Sequence, residues 1–218
     1  IGEAQIFLRL AGCNLSCKYC DTNYALKLPR QYKIDDDKYG SNPVTLSETV
    51  DIVKSYGLSK TTVSITGGEP LLQDDYLRML LPVLKNEGYR IYLETNATLP
   101  EQLAKILKWV DIVAADIKLP CFTGKQDIPK EHGEFLQIAR EKELFVKIVV
   151  TDETTMDEIA LAVDIIKGVD INIPLIIQPA MKEGKMSIER LFTFLDYGLT
   201  GLNRVRLIPQ IHKLMGWK

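Results

Sequence analysis

The chain has 218 residues, 46% of them hydrophobic, with 27 Lys and Arg against 29 Asp and Glu for a formal net charge of −2. That length suffices for a single α/β domain with a full core, and the balanced charge offers no cationic field for nucleic acid. No apolar run reaches the length of a membrane span and no secretory leader is visible, so the expected setting is cytoplasmic, with neither membrane nor nucleic acid as partner.

In chain order, the first element is a short strand over Gln5–Leu10, QIFLRL, ending just before a cluster of cysteines. Leu28 to Pro43, with KIDDDKYGSNP at its heart, reads as a polar surface loop. Thr45 and Glu48 form a capping box that opens a helix with Leu46, Val50 and Val53 at helical spacing. TVSIT reads as a strand, and Leu72, Tyr76, Leu80 and Leu84 mark the next helix. RIYLET is a strand; Thr98 and Glu101 make a second box ahead of Leu103, Ile106 and Val110. DIVAAD and LFVKIVV are strands, Thr155 and Glu158 make a third box, and INIPLIIQ and RVRLI are the last two strands.

Strand and helix alternate through most of the chain, which predicts right-handed βαβ units and a parallel sheet. About seven such strands make an open, partial βα barrel, with chemistry gathered at the C-terminal strand ends. No boundary interrupts the pattern, so residues 1–218 are expected to form one domain. The sequence opens Ile1-Gly2-Glu3 without Met, and a short upstream segment is expected before it.

Three of the four cysteines, Cys13, Cys17 and Cys20, fall within eight positions, in AGCNLSCKYCDT. A chain this long and this poor in cysteine is no disulfide scaffold. Thiolates select zinc, copper(I) or iron–sulfur clusters. A structural zinc site wants a fourth ligand close by, but the histidines are His132 and His212 and the fourth cysteine is Cys121. An iron–sulfur cubane held by three cysteines instead leaves one iron open to a ligand. A zinc knuckle or incidental buried cysteines is the competing structural reading.

The spacing Cys13-x3-Cys17-x2-Cys20, with Tyr19 before the last cysteine, resembles the radical S-adenosylmethionine (SAM) signature. That resemblance implies a 4Fe–4S cluster, SAM chelated at its open iron, reductive cleavage to a 5′-deoxyadenosyl radical, and the α/β partial barrel of the superfamily. Further motifs sit where such a site needs them. TGGEP, Thr66 to Pro70, follows a strand; its glycines allow close backbone approach, although an ordinary turn uses Gly-Gly too. It resembles the motif that holds the SAM amino group. Glu94 in LETNAT stands at a strand end, where it could accept from ribose hydroxyls or simply enter a helix. Asp116 and Lys118 in ADIKLP and Gln178 in LIIQPA stand at later strand ends; each reads equally as a solvated loop residue, but their recurrence favours one pocket.

FLRLAGCNLSCKYCDT, SITGGEPLLQ, LETNAT and the terminal PQIHKLMG together are similar to the 7-carboxy-7-deazaguanine synthase family, over nearly the whole chain. For that family the resemblance implies a radical ring contraction of 6-carboxy-5,6,7,8-tetrahydropterin with loss of ammonia, on the route to queuosine and other 7-deazapurines, with SAM regenerated. It further implies Mg2+, with Thr22 as the residue whose hydroxyl binds the ion. Arg9 matches the substrate-carboxylate arginine, a role that suits a guanidinium; the alternative is an outward residue in a surface ion pair. Thr66 and His212 are matched to the substrate, His212 being otherwise a capping or packing histidine. Tyr19, Cys20, Asp21, Gly68, Glu94, Asp116, Lys118 and Gln178 are matched to SAM. Some relatives carry Ser where Asp116 stands, and Cys121 is read as a bystander. The family usually carries an S-x-Q-G-E-G segment upstream of the first strand, before this sequence begins. The resemblance also suggests a homodimer and a reductant such as flavodoxin or ferredoxin. The rivals are another radical SAM enzyme, such as a glycyl-radical activase, and a non-enzymatic zinc-binding domain.

Overall fold

The computed structural model describes all residues except 1–2, 19, 36, 59, 125–127, 181–185, 215 and 217–218, together with the backbone alone at 128, 129, 212 and 214. The chain divides into two compact units. The first comprises Ile1–Ser16, Cys20–Thr95 and Glu101–Ile112; the second comprises Cys17–Tyr19, Asn96–Pro100 and Val113–Lys218.

In the first unit, β1 (Gln5–Leu10), β4 (Thr62–Gly67) and β5 (Arg90–Thr95) lie side by side in that order, all parallel. The intervening β2 (Gln31–Ile34) and β3 (Lys38–Ser41) form a separate antiparallel hairpin. The polar stretch expected as a loop therefore holds two strands. Its sequence hides them because the hairpin is largely solvated on both faces. The ring of Tyr32 covers Gly40 in the opposite strand, and the Tyr32 hydroxyl donates to Glu48.

That bond alters the first expected capping box. Thr45 caps α1 (Leu46–Ser55) by accepting from the Glu48 amide at 3.2 Å, while the Glu48 carboxylate turns to Tyr32. The second box also differs: α3 (Pro100–Ile106) begins at Pro100, and the Thr98 hydroxyl donates to Asn96 Oδ1 at 2.6 Å. α2 (Asp74–Asn86) lays Leu77, Leu80, Leu81 and Leu84, all buried, into the core formed with Val63, Ile65, Ile91 and Leu93. Leu72, expected as the start of that helix, lies in a preceding 3-10 turn, Pro70–Gln73.

The second unit carries β6 (Ile112–Ile117) from its second residue onward, then β7 (Glu143–Val150), β8 (Leu175–Pro179) and β9 (Val205–Leu207), in that order, with β7, β8 and β9 parallel. Connecting them are α4 (Pro120–Thr123), α5 (Ile128–Ala139), α6 (Met156–Lys167) and α7 (Ile188–Gly201); α8 (Ile211–Leu214) follows β9. Strand β8 starts four residues later than the expected INIPLIIQ, because Asp170 folds Asn172 into a turn and Pro174 has no amide to donate. Only at α6 is the expected box complete, with Thr155 and Glu158 capping each other's backbone. Along β7, Leu144, Val146, Ile148 and Val150 are buried, while Phe145, Lys147 and Val149 point to a more open face. Among the described residues no helix is long and apolar enough to cross a membrane.

Candidate active site

In the first unit, parallel register brings polar residues onto one strand face. Arg9 pairs with Thr66, and registered residues in a parallel sheet point to the same side. Thr66, only 4% exposed, donates to Glu94 Oε2 at 3.4 Å. Arg9 is exposed at the end of β1, with its Nη1 at 3.5 Å from the Gly67 carbonyl. One step deeper, Ser64 is in register with Phe7 and with Tyr92; its hydroxyl is buried without a partner. Arg9, Thr66 and Glu94 thus put a cation, a hydroxyl and a carboxylate at the C-terminal strand ends, as the motifs led one to expect.

The Gly-Gly turn is shaped by the backbone beside it. A Cβ on Gly67 would lie 2.1 Å from the Leu10 carbonyl oxygen, and one on Gly68 2.2 Å from that of Gly12. The amides of Gly68 and Glu69 donate to Leu10 and Gly12, at 3.0 and 2.7 Å. Gly12 itself takes φ +98° and donates to Ala25, a conformation that favours glycine. The paired glycines therefore let the turn pack directly on the segment leading into the cysteines. Glu69, absent from the expected site residues, has no exposure at all and accepts from the Leu71 amide and the Thr95 hydroxyl. The signal for it was present in TGGEP, since a carboxylate just before a proline-started turn is a capping pattern.

Cys13 and Cys20 belong to the same unit. The Leu15 amide donates to Cys13 Sγ at 3.5 Å, and Thr22 Oγ1 lies 3.7 Å from Cys20 Sγ. Thr22 precedes a 3-10 turn, Asn23–Ala25, without capping it through its side chain, so its hydroxyl stays with the cysteine. Asp21 is exposed. Tyr19 and the side chain of His212 lie outside the described residues.

The second unit contains Cys17, half-buried, whose neighbour Lys18 donates its amide to the Phe122 carbonyl at 3.1 Å. At the end of β6, Asp116 is 6% exposed and meets two ammonium groups: Lys118 Nζ at 2.8 Å and Lys147 Nζ at 3.1 Å, both on Oδ2. Burial pushes the Asp116 carboxyl up, but the two lysines outweigh it and hold the group below its ordinary range. Burial likewise pushes the Lys118 ammonium down, and Asp116 reverses that, leaving it raised. Gln178, half-buried on β8, is in register with Val149 and so shares the face of β7 that carries Lys147.

His132 was not expected in any role here, yet it braces this end of the unit. It is 1% exposed. Its Nε2 lies 3.3 Å from the Lys118 amide and its Nδ1 3.0 Å from the Ala97 carbonyl. An amide can only donate, so Nε2 accepts and Nδ1 carries the proton to Ala97. Burial pushes the imidazole down to about 4, against the opposing pull of the Ala97 carbonyl.

All four cysteines are free of disulfides. Cys121 differs from the other three: its amide donates to Glu158 Oε1 at 2.6 Å, and burial, then the Glu158 carboxylate, push its thiol up to about 12. It is held as a neutral thiol, in keeping with the bystander reading. Among the described residues no three His, Cys, Asp or Glu side chains form a group around a single ion. The donor set of Cys13, Cys17 and Cys20, soft thiolates without an accompanying histidine, suits an iron–sulfur cluster, in which each cysteine takes its own iron.

A family model described as the radical SAM superfamily matches residues 8–133. The chain is 38% identical, over 228 residues, to a 7-carboxy-7-deazaguanine synthase of Geobacter sulfurreducens, covering 99% of this chain and 91% of that protein. It is 33% identical to one of Methanopyrus kandleri, covering 99% and 87%. Among solved structures, Streptococcus suis SuiB bound to its precursor peptide SuiA aligns with a TM-score of 0.65 at 16% identity, over 97% of this chain and 50% of that one. SuiB bound to S-adenosylmethionine aligns at 0.61 and 17% identity, over 94% and 46%. The chain spans about half the length of those solved chains, and that likeness concerns the fold.

Proposed function

The chain belongs to the radical SAM superfamily, with an α/β fold of that type, and within it to the 7-carboxy-7-deazaguanine synthase family; on that premise we propose that it converts 6-carboxy-5,6,7,8-tetrahydropterin to 7-carboxy-7-deazaguanine with release of ammonia. Membership of the superfamily implies a 4Fe–4S cluster and SAM. Cys13, Cys17 and Cys20 are the residues to hold the cluster, which with SAM supplies the carbon radical that takes a hydrogen atom from the substrate.

The chain's own residues bind and orient. Arg9 receives the substrate carboxylate, for which a guanidinium offers two parallel donors. Thr66 contacts the substrate, and His212 is assigned to the substrate as well. Glu94 accepts from ribose hydroxyls of SAM. Gly68 contributes backbone to the same cofactor, as do Tyr19, Cys20 and Asp21 near the adenine. Asp116, Lys118 and Gln178 complete the SAM contacts. Thr22 offers a hydroxyl oxygen to Mg2+, a hard cation that keeps other positions for water or substrate. The whole chain works as one radical SAM domain, as a cytoplasmic homodimer reduced by a flavodoxin- or ferredoxin-type donor.

The observation that carries this reading is the register of Arg9 with Thr66 at the strand ends, a cation and a hydroxyl side by side for a carboxylated heterocycle. The family names of its relatives support it. The test is anaerobic turnover of reconstituted protein with SAM, dithionite, Mg2+ and the carboxytetrahydropterin, read by mass spectrometry. Formation of 7-carboxy-7-deazaguanine without matching net loss of SAM is expected. SAM cleavage without that product would keep the superfamily and discard the substrate.

A further inference from the structure

We propose that Lys147 is a positioning residue of the SAM site, acting through Asp116; this rests on the assignment of Asp116 and Lys118 to SAM. Lys147 sits in the middle of β7, in LFVKIVV, at a place where the flanking residues Val146 and Ile148 are fully buried and its own side chain is 17% exposed. Keeping an ammonium so poorly hydrated is unfavourable unless a partner compensates it. Its Nζ lies 3.1 Å from Asp116 Oδ2.

The same oxygen already accepts from Lys118 Nζ at 2.8 Å. Two cations on one carboxylate oxygen leave the other, Oδ1, with none, and Asp116 Oδ1 is buried without a hydrogen-bond partner. One lysine would neutralise the carboxylate. The second fixes its plane and keeps it ionised, so that Oδ1 is presented as a fixed acceptor. An ionised, immobilised acceptor at a strand end suits a ligand that donates, a ribose hydroxyl or an ammonium, both of which SAM carries. Lys118, nearest the strand end, is the one of the two to reach the ligand; Lys147 lies behind Asp116 and works only through it. Gln178, on the same face as Lys147 one strand over, lies toward the end of β8.

The test uses the reconstituted, reduced protein without substrate, and reads the change that SAM makes in the electron paramagnetic resonance signal of the cluster. Lys147→Met is expected to keep its iron content while the SAM midpoint rises roughly tenfold, about the effect of one charge-assisted contact. Lys147→Arg, which restores the cation, is expected to bring the midpoint back toward wild type. Adding Lys147→Met to Asp116→Asn is expected to change the midpoint no further, since the link is already cut. Lys147→Met leaves the Asp116–Lys118 pair intact, and the double variant is compared with Asp116→Asn, which leaves Lys118 in the same state, so the comparison tests the same idea even where Lys147→Met alone does not accumulate. An unchanged midpoint in Lys147→Met, or a further loss in the double variant, overturns the proposal. No SAM-dependent signal in the wild-type protein would instead overturn the cofactor reading itself.

Discussion

Thr95 donates its hydroxyl to Glu69 Oε1 at 2.8 Å, so a fully buried carboxylate ties the last residue of β5 to the turn that follows β4. The same oxygen accepts from the Leu71 amide at 3.0 Å. Removing it leaves buried donors unanswered, which costs about 1–3 kcal/mol per group. Glu69→Ala is therefore expected to destabilise the protein by about 3 kcal/mol, and Glu69→Gln, which keeps one acceptor, by less. Urea unfolding of the cluster-free protein measures both; equal stability of Glu69→Ala and wild type would refute the bracing role.

Gly68→Ala places a methyl group against the carbonyls of Gly12 and Ala25, at 2.2 and 2.9 Å. Those are backbone atoms of the segment around the cysteines, and they cannot rotate away. The expected result is a loss of about 1–3 kcal/mol from overpacking together with lower iron content after reconstitution. Wild-type melting temperature and iron content in Gly68→Ala would show that the turn has room to spare.

His132 gives the protein a defined acid sensitivity. Its imidazole sits at about 4 in the folded protein against an ordinary 6.5, so the unfolded chain takes up the extra proton first. Its contribution is complete above pH 6.5, falls as the pH drops through that value, and levels off below about 4. The full window is worth about 3 kcal/mol. Denaturant unfolding at pH 7 and pH 5 should show a loss of roughly 2 kcal/mol in wild type. In His132→Gln most of that slope should vanish, at the expense of lower stability at neutral pH. A slope that survives the substitution would place the titration elsewhere.

Much of this was legible from local pattern, and the exceptions share a cause. Gln5–Leu10 emerged as β1 with its expected bounds, and the motif residues Arg9, Thr66 and Glu94 stand at strand ends. Each carries its signal within a few residues of itself. Lys147 does not. In LFVKIVV it reads as an outward strand residue, and its Asp116 partner is on another strand with nothing near it in sequence to announce the pairing. His132 is the same kind of case, since its two bonds go to Ala97 and Lys118. The hairpin failed for a different reason: with both faces solvated, alternation of polar and apolar residues, the strand signal, is weak.

Cys121 should resist alkylation. A thiol at about 12 is thiolate at only about one part in ten thousand at pH 8, and the thiolate is the reactive form. Timed iodoacetamide labelling of the cluster-free protein, read by peptide mass spectrometry, should find Cys121 modified far more slowly than a free-cysteine peptide. Glu158→Gln should speed it, because the carboxylate that raises the thiol is gone. Rapid labelling of Cys121 in the wild-type protein would contradict the half-buried thiol held beside Glu158.

Arg9→Lys separates charge from geometry. The residue is exposed and its bond to the Gly67 carbonyl is long, so the fold should be unaffected. Lysine keeps the cation and loses the paired donors. A rise in KM of roughly tenfold for the carboxytetrahydropterin, with SAM binding unchanged, is expected. An unchanged KM would move the carboxylate contact to another residue.

The Gly67–Gly68 turn is built unlike the glycine-rich loops that cradle phosphates. Such loops point backbone N–H groups at the ligand. Here the amides of Gly68 and Glu69 donate to Leu10 and Gly12, those of Leu71 and Leu72 turn back to Glu69, and Pro70 has none. These donors are engaged inside the unit. A nucleotide's phosphates would find none of these four amides free.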